Sequence, residues 1–303
     1  MPNLNESVIR GIPIYLPSLP EQRAIASVLG ALDDKIELIR RMSEALEELA
    51  RTIFKSWFVD FEPVRAKAEG RQPVGMDAET AATFPSRLVN SDLGAIPEGW
   101  RTGTVGAVST YLRRGFGPAY VDEGGVCVLN QKCVRDGRID RGKARRHDVS
   151  RKSAEGRQLQ LGDLLVNSTG VGTLGRIAQV WRLPEPTIVD SHLTVVRADP
   201  NILSPLVFGV DLGRREAEVE ALGEGSTGQT ELSRERLAQL SVLIANKGVQ
   251  QRFAALVEPM RQRIVASEAE SASLAELRDL LLPKLISGEL RVPVTEKMVE
   301  AAL

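Results

Sequence analysis

Apolar residues between positions 21 and 58 recur every seven residues in two interleaved sets. The first set consists of Ile25, Leu32, Ile39, Leu46 and Ile53. The second set consists of Leu29, Ile36, Ser43, Ala50 and Trp57. This 3.5-residue period is typical of a coiled-coil seam and predicts a long helix over residues 21–62. Ser18 and Glu21 have the spacing of a capping box, so we expect the helix to begin near them.

The same pattern returns near the other end of the chain. With a shift of 228 residues, segment 4–29 lies over segment 232–257, and Gln22 meets Gln250. Farther along, Leu46 meets Leu274 and Ile53 meets Leu281. Both copies pass from a short β-like strip into a helical pattern, which predicts a second long helix over 247–290. The two helices are expected to pack as an antiparallel coiled coil.

The region between the two helices has a different pattern. Its short apolar strips (VCVLN, DLLVNS, RIAQVW, TIVD and LTVVRA) are separated by Gly, Pro and polar clusters. Such strips predict strands in a mixed or mainly antiparallel sheet, and residues 206–222 look helical. We therefore expect an α+β chain: a β-rich domain at 88–246 that is flanked by the two long helices. The remaining segments are a domain-like tail at 1–20, a linker at 63–87 and a flexible tail at 291–303.

A glycine motif lies in the middle region. Gly170, Gly172 and Gly175 spell G-x-G-x-x-G, and Asp190 follows the first glycine by twenty residues. A dinucleotide site needs a helix directly after this motif. Here the alternating strip RIAQVW follows and is stopped by prolines within ten residues. The pattern favours a glycine-rich loop between strands, with the polar residues Asn167, Ser168, Thr169 and Thr173 around it.

Charge is distributed unevenly along the chain. The whole sequence has a net charge of -1, but residues 101–160 contain 13 Lys/Arg and only 6 Asp/Glu. This basic excess could neutralise phosphates. A solvated basic face remains the alternative. The candidate cations are Arg113, Arg114, Lys132, Arg135, Arg138, Arg141, Lys143, Arg145 and Arg146.

Other chemistry is weakly indicated. Asp190, Ser191 and His192 hint at a catalytic triad, but the chain lacks a nucleophile elbow, and a structural histidine is the alternative. The spacing of Cys127 and Cys133 does not match a zinc site, so no metal is expected, and the two cysteines favour a reducing compartment. The chain has no methyltransferase motif, signal peptide or long apolar run. These features predict a non-catalytic cytoplasmic protein.

Taken together, the motifs resemble the specificity (S) subunits of type I restriction–modification enzymes. The stretches that carry the resemblance are LPSLPEQRAIASVLGALDDKIELIRRM, ARTIFKSWFVDFEPVRAK, LGAIPEGW, NQKCVRDGRI, GDLLVNSTGVGTLGRIA, VDSHLTVVR, GEGSTGQTELSRERL and LRDLLLPKLISGEL. The resemblance implies that the β-rich domain recognises one half of a split site in double-stranded DNA. It also implies methylation (M) subunits that hold AdoMet and restriction (R) subunits that use ATP and Mg, with no cofactor on this chain.

Within this resemblance, polar loops and arginines are the predicted DNA contacts. They are Arg113, Arg114, Asn130, Gln131, Lys132, Arg145, Arg146, Asn167, Ser168, Thr169, Thr173, Ser226, Thr227 and Gln229. The predicted subunit-interface residues lie on the seams: Ile25, Leu32, Ile39, Leu46, Ile53, Leu274 and Leu281.

The chain departs from the family pattern in one respect. Full-length members alternate two recognition domains with two helical regions, whereas this sequence carries one such domain. A half-length subunit is therefore expected to associate with a second S chain. Two alternatives stay open: a coiled-coil scaffold or regulator of M subunits that does not read DNA, and an inactive truncated remnant.

Overall fold

The structure is a computed structural model that describes residues 6–11, 16–225 and 230–300. Two compact units are formed, one by residues 1–47 with 262–303 and the other by residues 48–261. The described helices are α1 (Glu6–Arg10), α2 (Leu19–Phe58), α3 (Glu62–Ala68), α4 (Ala78–Ala82), α5 (Pro205–Gly213), α6 (Glu216–Glu220), α7 (Arg234–Gln239), α8 (Lys247–Ile286) and α9 (Val292–Glu300). No helix in these described ranges is both long and apolar enough to cross a bilayer.

In the first unit, the beginning of α2 packs against the end of α8. Asp33 forms an ion pair with Arg278 at 2.7 Å, and Lys35 forms one with Glu270 at 3.7 Å. Residue numbers therefore rise along one helix as they fall along the other. This confirms the predicted antiparallel coiled coil.

The start of α2 follows from its capping residues. The carboxylate of Glu21 accepts hydrogen bonds from the Ser18 backbone N–H at 2.9 Å and from the Ser18 hydroxyl at 2.7 Å. These contacts satisfy one backbone donor that the first turn of a helix leaves free. The helix accordingly begins at Leu19, close to the predicted position.

The predicted interface residues have a different role from the one expected. Five of them are buried in the core of the first unit: Ile25, Leu32, Ile39, Leu274 and Leu281. These side chains pack within the chain's own helix pair, so they are not available to a partner subunit. Leu46 and Ile53 are half-buried, and Ile53 packs against the core of the second unit. Their burial agrees with the predicted packing of the two long helices against each other and not with the predicted subunit interface.

The seam of the first unit includes buried serines. Ser43 donates a hydrogen bond to the Ile39 carbonyl at 3.0 Å, which satisfies its hydroxyl. Ser267 is 0% exposed, and its hydroxyl has no hydrogen-bond partner in the described part of the chain. A buried polar group without a partner destabilises the fold by about 1–3 kcal/mol.

We expect Ser267→Ala to stabilise the first unit by about 1 kcal/mol, because the change removes an unsatisfied hydroxyl. Thermal unfolding followed by circular dichroism measures the effect. Ser273→Ala is the matched control, since the Ser273 hydroxyl is exposed and donates to the Ala269 carbonyl at 3.1 Å. A lower midpoint for Ser267→Ala than for the control would contradict the expectation.

Two segments predicted to lack structure contain helices. The expected linker at 63–87 holds α4 and most of α3, and the Lys67 ammonium donates to the Ala81 carbonyl at 3.0 Å. The expected flexible tail at 291–303 holds α9, whose Val299 is buried in the core of the first unit. These short helices make contacts outside their own segments of a few residues, which a local pattern does not reveal. Residues 12–15, within the expected tail-like segment 1–20, lie outside the described residues.

The second unit is built around two four-stranded sheets and several two-stranded pairs. The strands are β1 (Leu88–Ser91), β2 (Gly94–Pro97), β3 (Arg101–Thr104), β4 (Ser109–Arg114), β5 (Tyr120–Val121), β6 (Val126–Leu129), β7 (Val134–Arg135), β8 (Arg138–Ile139), β9 (Arg145–His147), β10 (Leu164–Asn167), β11 (Ile177–Gln179), β12 (Thr187–Val189), β13 (Leu193–Ala198), β14 (Gly223–Glu224), β15 (Glu231–Leu232) and β16 (Ser241–Ile244). One sheet has the order β11-β10-β13-β4 and is antiparallel throughout. The other has the order β12-β6-β9-β5, and only β12 and β6 run parallel.

Strand β10 lies between two hydrophobic cores. Leu164 and Val166 belong to a large core, whereas Leu165 belongs to a second core that also holds Leu129 and Val195. Alternate side chains of a strand point to opposite faces, so both faces of this sheet are covered. That accounts for the continuous apolar run of β10.

The large core is rich in aromatic side chains. Phe253 on α8 makes edge-to-face contacts with Phe54, Trp57 and Phe58, with ring centroids 5.7, 6.0 and 5.2 Å away. Trp57 also meets Phe84 at 5.0 Å. The few aromatic residues of the chain are thus concentrated where helix and sheet residues of the second unit meet.

Candidate nucleic-acid interface

The glycine motif forms the loop of a β-hairpin. It connects β10 to β11, which pair antiparallel, and no helix follows it. Gly170, Gly172 and Gly175 all have positive φ, between 68° and 106°. A Cβ at Gly170 would lie 2.3 Å from the Thr173 hydroxyl, so only glycine fits there. The prediction of a glycine-rich loop between strands is confirmed.

Two separate segments meet this loop. The Thr169 hydroxyl lies 3.0 Å from Gln131 Oε1 and 2.6 Å from His192 Nδ1. Gln131 begins a 3₁₀ turn (Gln131–Cys133), and His192 lies in the connection between β12 and β13. The Thr173 hydroxyl joins the group by donating to the Thr169 carbonyl at 3.3 Å. We call the glycine loop, the 3₁₀ turn and residues 190–192 together the loop surface.

Some predicted contact residues serve the framework of this surface instead. Asn167 and Ser168 are 0% exposed, so in this structure they do not face DNA as expected. The Ser168 hydroxyl hydrogen-bonds with that of Thr194 at 2.6 Å, and Asn167 Nδ2 donates to the Gln131 carbonyl at 3.1 Å. Asn167 Oδ1 has no partner among the described residues. Asn167 is buried because it is the last residue of strand β10, whose four residues are all buried.

Asn130 is also committed to local structure. Its Oδ1 accepts from the Lys132 backbone N–H at 2.9 Å, and its Nδ2 donates to the Lys143 carbonyl at 2.8 Å. It therefore caps the 3₁₀ turn and fixes the position of Gln131. Lys132 itself is exposed on that turn. Three other predicted contacts, Ser226, Thr227 and Gln229, lie outside the described residues.

Arg113 and Arg114 are adjacent on β4 and point to opposite faces. Arg113 is exposed and lies 5.5 Å from the centre of the Tyr111 ring. Arg114 donates to the Ser191 carbonyl and forms an ion pair with Glu231 at 2.8 Å. Arg114 is therefore tied to the loop surface, and its charge is matched by a carboxylate.

On β9, Arg145 and Arg146 likewise differ in their partners, one lying against an aromatic ring and the other pairing with a carboxylate. The Arg145 guanidinium lies 3.4 Å from the centre of the Tyr120 ring, and the Tyr120 hydroxyl donates to Asp190 at 3.3 Å. Arg146 forms a close ion pair with Glu185. Each arginine pair thus contributes one residue bound to a carboxylate and one bound to an aromatic ring.

The electrostatics of the surface follow from these contacts. The hydrogen bond from Arg114 lowers the pKa of Glu231, and that from Arg146 lowers the pKa of Glu185. Burial raises the pKa of Asp190 despite its hydrogen bonds. The two matched arginines must exchange a carboxylate for a phosphate if they bind DNA, whereas Arg113 and Arg145 need not.

Glu231→Gln is expected to raise the affinity for duplex DNA about twofold to tenfold, because it releases Arg114 and removes a charge that repels phosphate. Fluorescence anisotropy with a labelled duplex measures the change. Glu235→Gln removes the same charge from an exposed residue paired with Arg234, and so serves as the control. Equal gains for both variants would show that only net charge matters.

Several residues of the surface were not selected from sequence. His192 was noted only as part of a triad, but its ring contacts Thr169, while Asp190 accepts a hydrogen bond from the His192 backbone. No sequence pattern indicated that Tyr120 would lie at the candidate interface. Val171, at the tip of the glycine loop, is 87% exposed. In the described ranges, no group of three or more His, Cys, Asp and Glu residues could hold a metal.

Comparison with known proteins finds similarity to one group of proteins. The first 48 residues match the model of the type I restriction modification DNA specificity domain. The chain is 22% identical over 95% of its length to the type I restriction enzyme HindI specificity subunit of Haemophilus influenzae, and 25% identical over 96% to the MjaIX specificity subunit of Methanocaldococcus jannaschii. The chain is thus similar to type I specificity subunits over nearly its whole length.

The similarity extends to the fold. The S subunit of a type I restriction–modification system from M. genitalium matches 88% of this chain with a TM-score of 0.57 at 15% identity. The chain spans only part of these specificity subunits: 71% and 63% of the two curated relatives and 61% of the solved chain. The family model covers α1 and much of α2, which include the first of the stretches that carried the resemblance in sequence.

Proposed function

We propose that this chain is a sequence-specific DNA-recognition subunit of a type I restriction–modification complex. The second unit, with residues 88–246 as its recognition domain, binds one part of a bipartite site in double-stranded DNA. The observation that carries the proposal is the loop surface, where hydrogen-bonding side chains from separate segments meet, together with Arg114 of β4, which donates to the Ser191 carbonyl of that surface. Arginine is suited to phosphates and guanine, and amide side chains to adenine.

In this proposal the chain has no catalytic activity of its own. M subunits supply AdoMet-dependent methylation, and R subunits supply ATP- and Mg-dependent cleavage. The helix pair of the first unit offers its outer faces to them, because its seam is filled by the chain itself. The expected setting is the cytoplasm, where the bacterial or archaeal chromosome is the target.

In this proposal a second copy of the chain completes the DNA-recognition unit. One recognition domain per chain reads one half-site, so two copies related by a twofold axis would read an interrupted palindrome. The mass of the complex purified with its M subunits, measured by light scattering, distinguishes one S chain from two. A single S chain per complex would contradict this part of the proposal.

A scaffold that assembles M subunits without reading DNA is the second candidate. The continuous 40-residue helices favour it, because they provide a long docking surface whether or not the loops bind DNA. An inactive remnant is the third reading. The candidates differ in whether methylation depends on the base sequence that surrounds the target.

Methylation mapping tests the proposal. The M subunit encoded with this chain is expressed in cells with and without the chain, and modified bases are located by long-read sequencing. Methylation at one defined split sequence, only when the chain is present, supports recognition. Methylation without sequence preference supports the scaffold, and no change in the presence of an assembled M–S complex supports the remnant.

A further inference from the structure

Two exposed cations contact the ring of Phe116. Lys152 Nζ lies 4.9 Å from the ring centre, and the guanidinium carbon of Arg157 lies 5.0 Å from it. Phe116 lies between β4 and β5, whereas both cations lie in the connection between β9 and β10. Since both are within 5.0 Å of one ring centre, the two charges are no farther apart than twice that distance. We call these three residues the Phe116 site.

The backbone around the two cations is held by hydrogen bonds. The Lys152 ammonium donates to the Gly117 carbonyl at 2.6 Å, and the Lys152 carbonyl lies 2.9 Å from Nε2 of the buried His147. The Arg157 backbone N–H donates to the carbonyl of the buried Ala154 at 3.2 Å. Among the described residues, neither cation of the site forms an ion pair with a carboxylate. Both are therefore positioned without being neutralised.

The surrounding segment has an excess of positive charge. Residues 145–157 contain five Lys/Arg and two Asp/Glu. Of the two acids, Asp148 accepts hydrogen bonds from the Ser150 backbone N–H at 2.9 Å and from the Ser150 hydroxyl at 2.6 Å, and Glu155 is exposed. An aromatic ring attracts a cation but does not cancel its charge. The Phe116 site therefore fits a partner that carries negative charge.

The Phe116 site adjoins the loop surface through Asp190. The backbone of Phe116 pairs with that of Asp190 in an isolated parallel β-bridge, and the Tyr120 hydroxyl donates to the Asp190 carboxylate at 3.3 Å. Phe116 and Tyr120 pack against the same small core, and Arg145 lies over the Tyr120 ring. The cations at both rings therefore lie beside the part of the loop surface that contains Asp190.

We propose that the Phe116 site binds the phosphodiester backbone of DNA beside the loop surface. The inference rests on the proposed function, to which it adds a second binding site. One strand of B-DNA carries a phosphate about every 3.4 Å along the helix axis, so the two cations are close enough to contact the same phosphate or neighbouring ones. Such contacts fix the register of a protein on the duplex but do not read its sequence. Phe116 is the positioning residue that orients the two cations.

The double variant Lys152→Gln with Arg157→Gln tests the site in the chain purified with its M subunits. Fluorescence anisotropy measures its affinity, at several salt concentrations, for a duplex with the sequence that is methylated when this chain is present. We expect a loss of affinity on the order of tenfold to hundredfold and a salt slope less steep by about 2, since each lost phosphate contact removes about 0.9. The base preference in a selection from randomised duplexes should not change, because phosphate contacts carry no sequence information.

Lys247→Gln with Arg101→Gln is the matched control. It removes one exposed lysine and one exposed arginine from the second unit, at the end of the β3–β16 pair and not at Phe116. The Lys247 ammonium also donates to a backbone carbonyl, that of Pro200 at 2.9 Å, as Lys152 does to Gly117. This control should change the affinity less than the double variant of the Phe116 site does.

Three further variants separate charge from structure. Exchanging the cations, Lys152→Arg with Arg157→Lys, keeps both charges and should keep the wild-type salt slope. Phe116→Tyr keeps the ring and should keep the affinity. Phe116→Leu keeps an apolar side chain without a ring, and it should lower the affinity about threefold because the two cations lose their cation–π contacts.

Duplexes in which single phosphates are replaced by uncharged methylphosphonates locate the contact. The wild-type complex should lose affinity at one or two of the replaced positions. At the same positions the double variant should lose none, because the contact is already missing. This comparison separates a local contact from a general loss of charge.

The negative results are distinguishable. If the wild-type complex binds its target sequence and the double variant matches the control in salt slope and at every replaced phosphate, the inference is wrong while the proposed function stands. If the double variant folds but no longer co-purifies with M subunits, the site contacts a protein, and the inference is again wrong. If the wild-type complex assembles but prefers no sequence, the proposed function is wrong, and the inference falls with it.

Discussion

Replacing Arg113 and Arg145 together with alanine is expected to weaken duplex DNA binding on the order of hundredfold. Among the described residues, neither guanidinium forms an ion pair with a carboxylate, and both are exposed. Each is therefore free to contact phosphate without giving up a stronger partner. A hydrogen bond to a charged group contributes about 1.5–3 kcal/mol, so two such losses account for the expected change.

A salt titration distinguishes direct contacts from a general loss of charge. The slope of log affinity against log salt should become less steep by about 2, because each lost phosphate contact removes about 0.9. The control is the pair Arg71→Ala and Arg234→Ala, which removes two exposed arginines bound to Glu69 and Glu235. The same loss of affinity and slope in the control would rule out the assigned contacts.

The same double variant separates the two main functional candidates. A DNA-reading subunit should lose affinity for DNA while it still co-purifies with M subunits in unchanged proportion. A scaffold that does not read DNA should change in neither respect. Loss of co-purification would place these arginines at a protein interface instead.

Phe253→Ala is expected to destabilise the second unit by about 3–5 kcal/mol, as is typical for removal of a fully buried phenylalanine. Phe253 is 0% exposed, and its ring touches Phe54, Trp57 and Phe58. The substitution leaves a cavity where residues of α2 and α8 meet within this unit. It also removes edge-to-face contacts that contribute beyond the buried area.

Tryptophan fluorescence reports on this change selectively. The three tryptophans of the chain, Trp57, Trp100 and Trp181, all belong to the second unit. Urea unfolding followed by their emission therefore measures that unit without a contribution from the first. Leu256→Ala is the control, because Leu256 is substantially exposed on the same helix. Equal shifts of the two midpoints would show that Phe253 is not central to the core.

The long helices were predictable because their pattern is local. A seven-residue repeat and the Ser18–Glu21 cap need only neighbouring residues to be recognised. The glycine loop was predictable for a similar reason: an alternating strip followed it where a dinucleotide site requires a helix. The repeat also predicted that the second long helix covers the seam of α2, and α8 does so. The separate prediction that the same seam residues form a subunit interface does not fit this packing.

The candidate site was less predictable because its decisive contacts are long-range. Counting charges over residues 101–160 gave a strong basic excess, yet two acids that match those arginines lie outside that window. Glu185 pairs with Arg146, and Glu231, 117 positions from Arg114, pairs with it. Asn167 and Ser168 looked like polar loop residues, but partners such as Thr194 bury them.

The backbone of the glycine loop takes its shape from glycines with positive φ rather than from the side chains at its tip. Val171, which is 87% exposed, can therefore be exchanged without the hairpin having to refold, whereas the Thr169 and Thr173 hydroxyls are hydrogen-bonded within the loop surface. Under the proposed function, a substitution at this tip would change the contacts with DNA and leave the backbone of the hairpin unchanged. The tip position is therefore suited to a small library of variants that tests for altered targets.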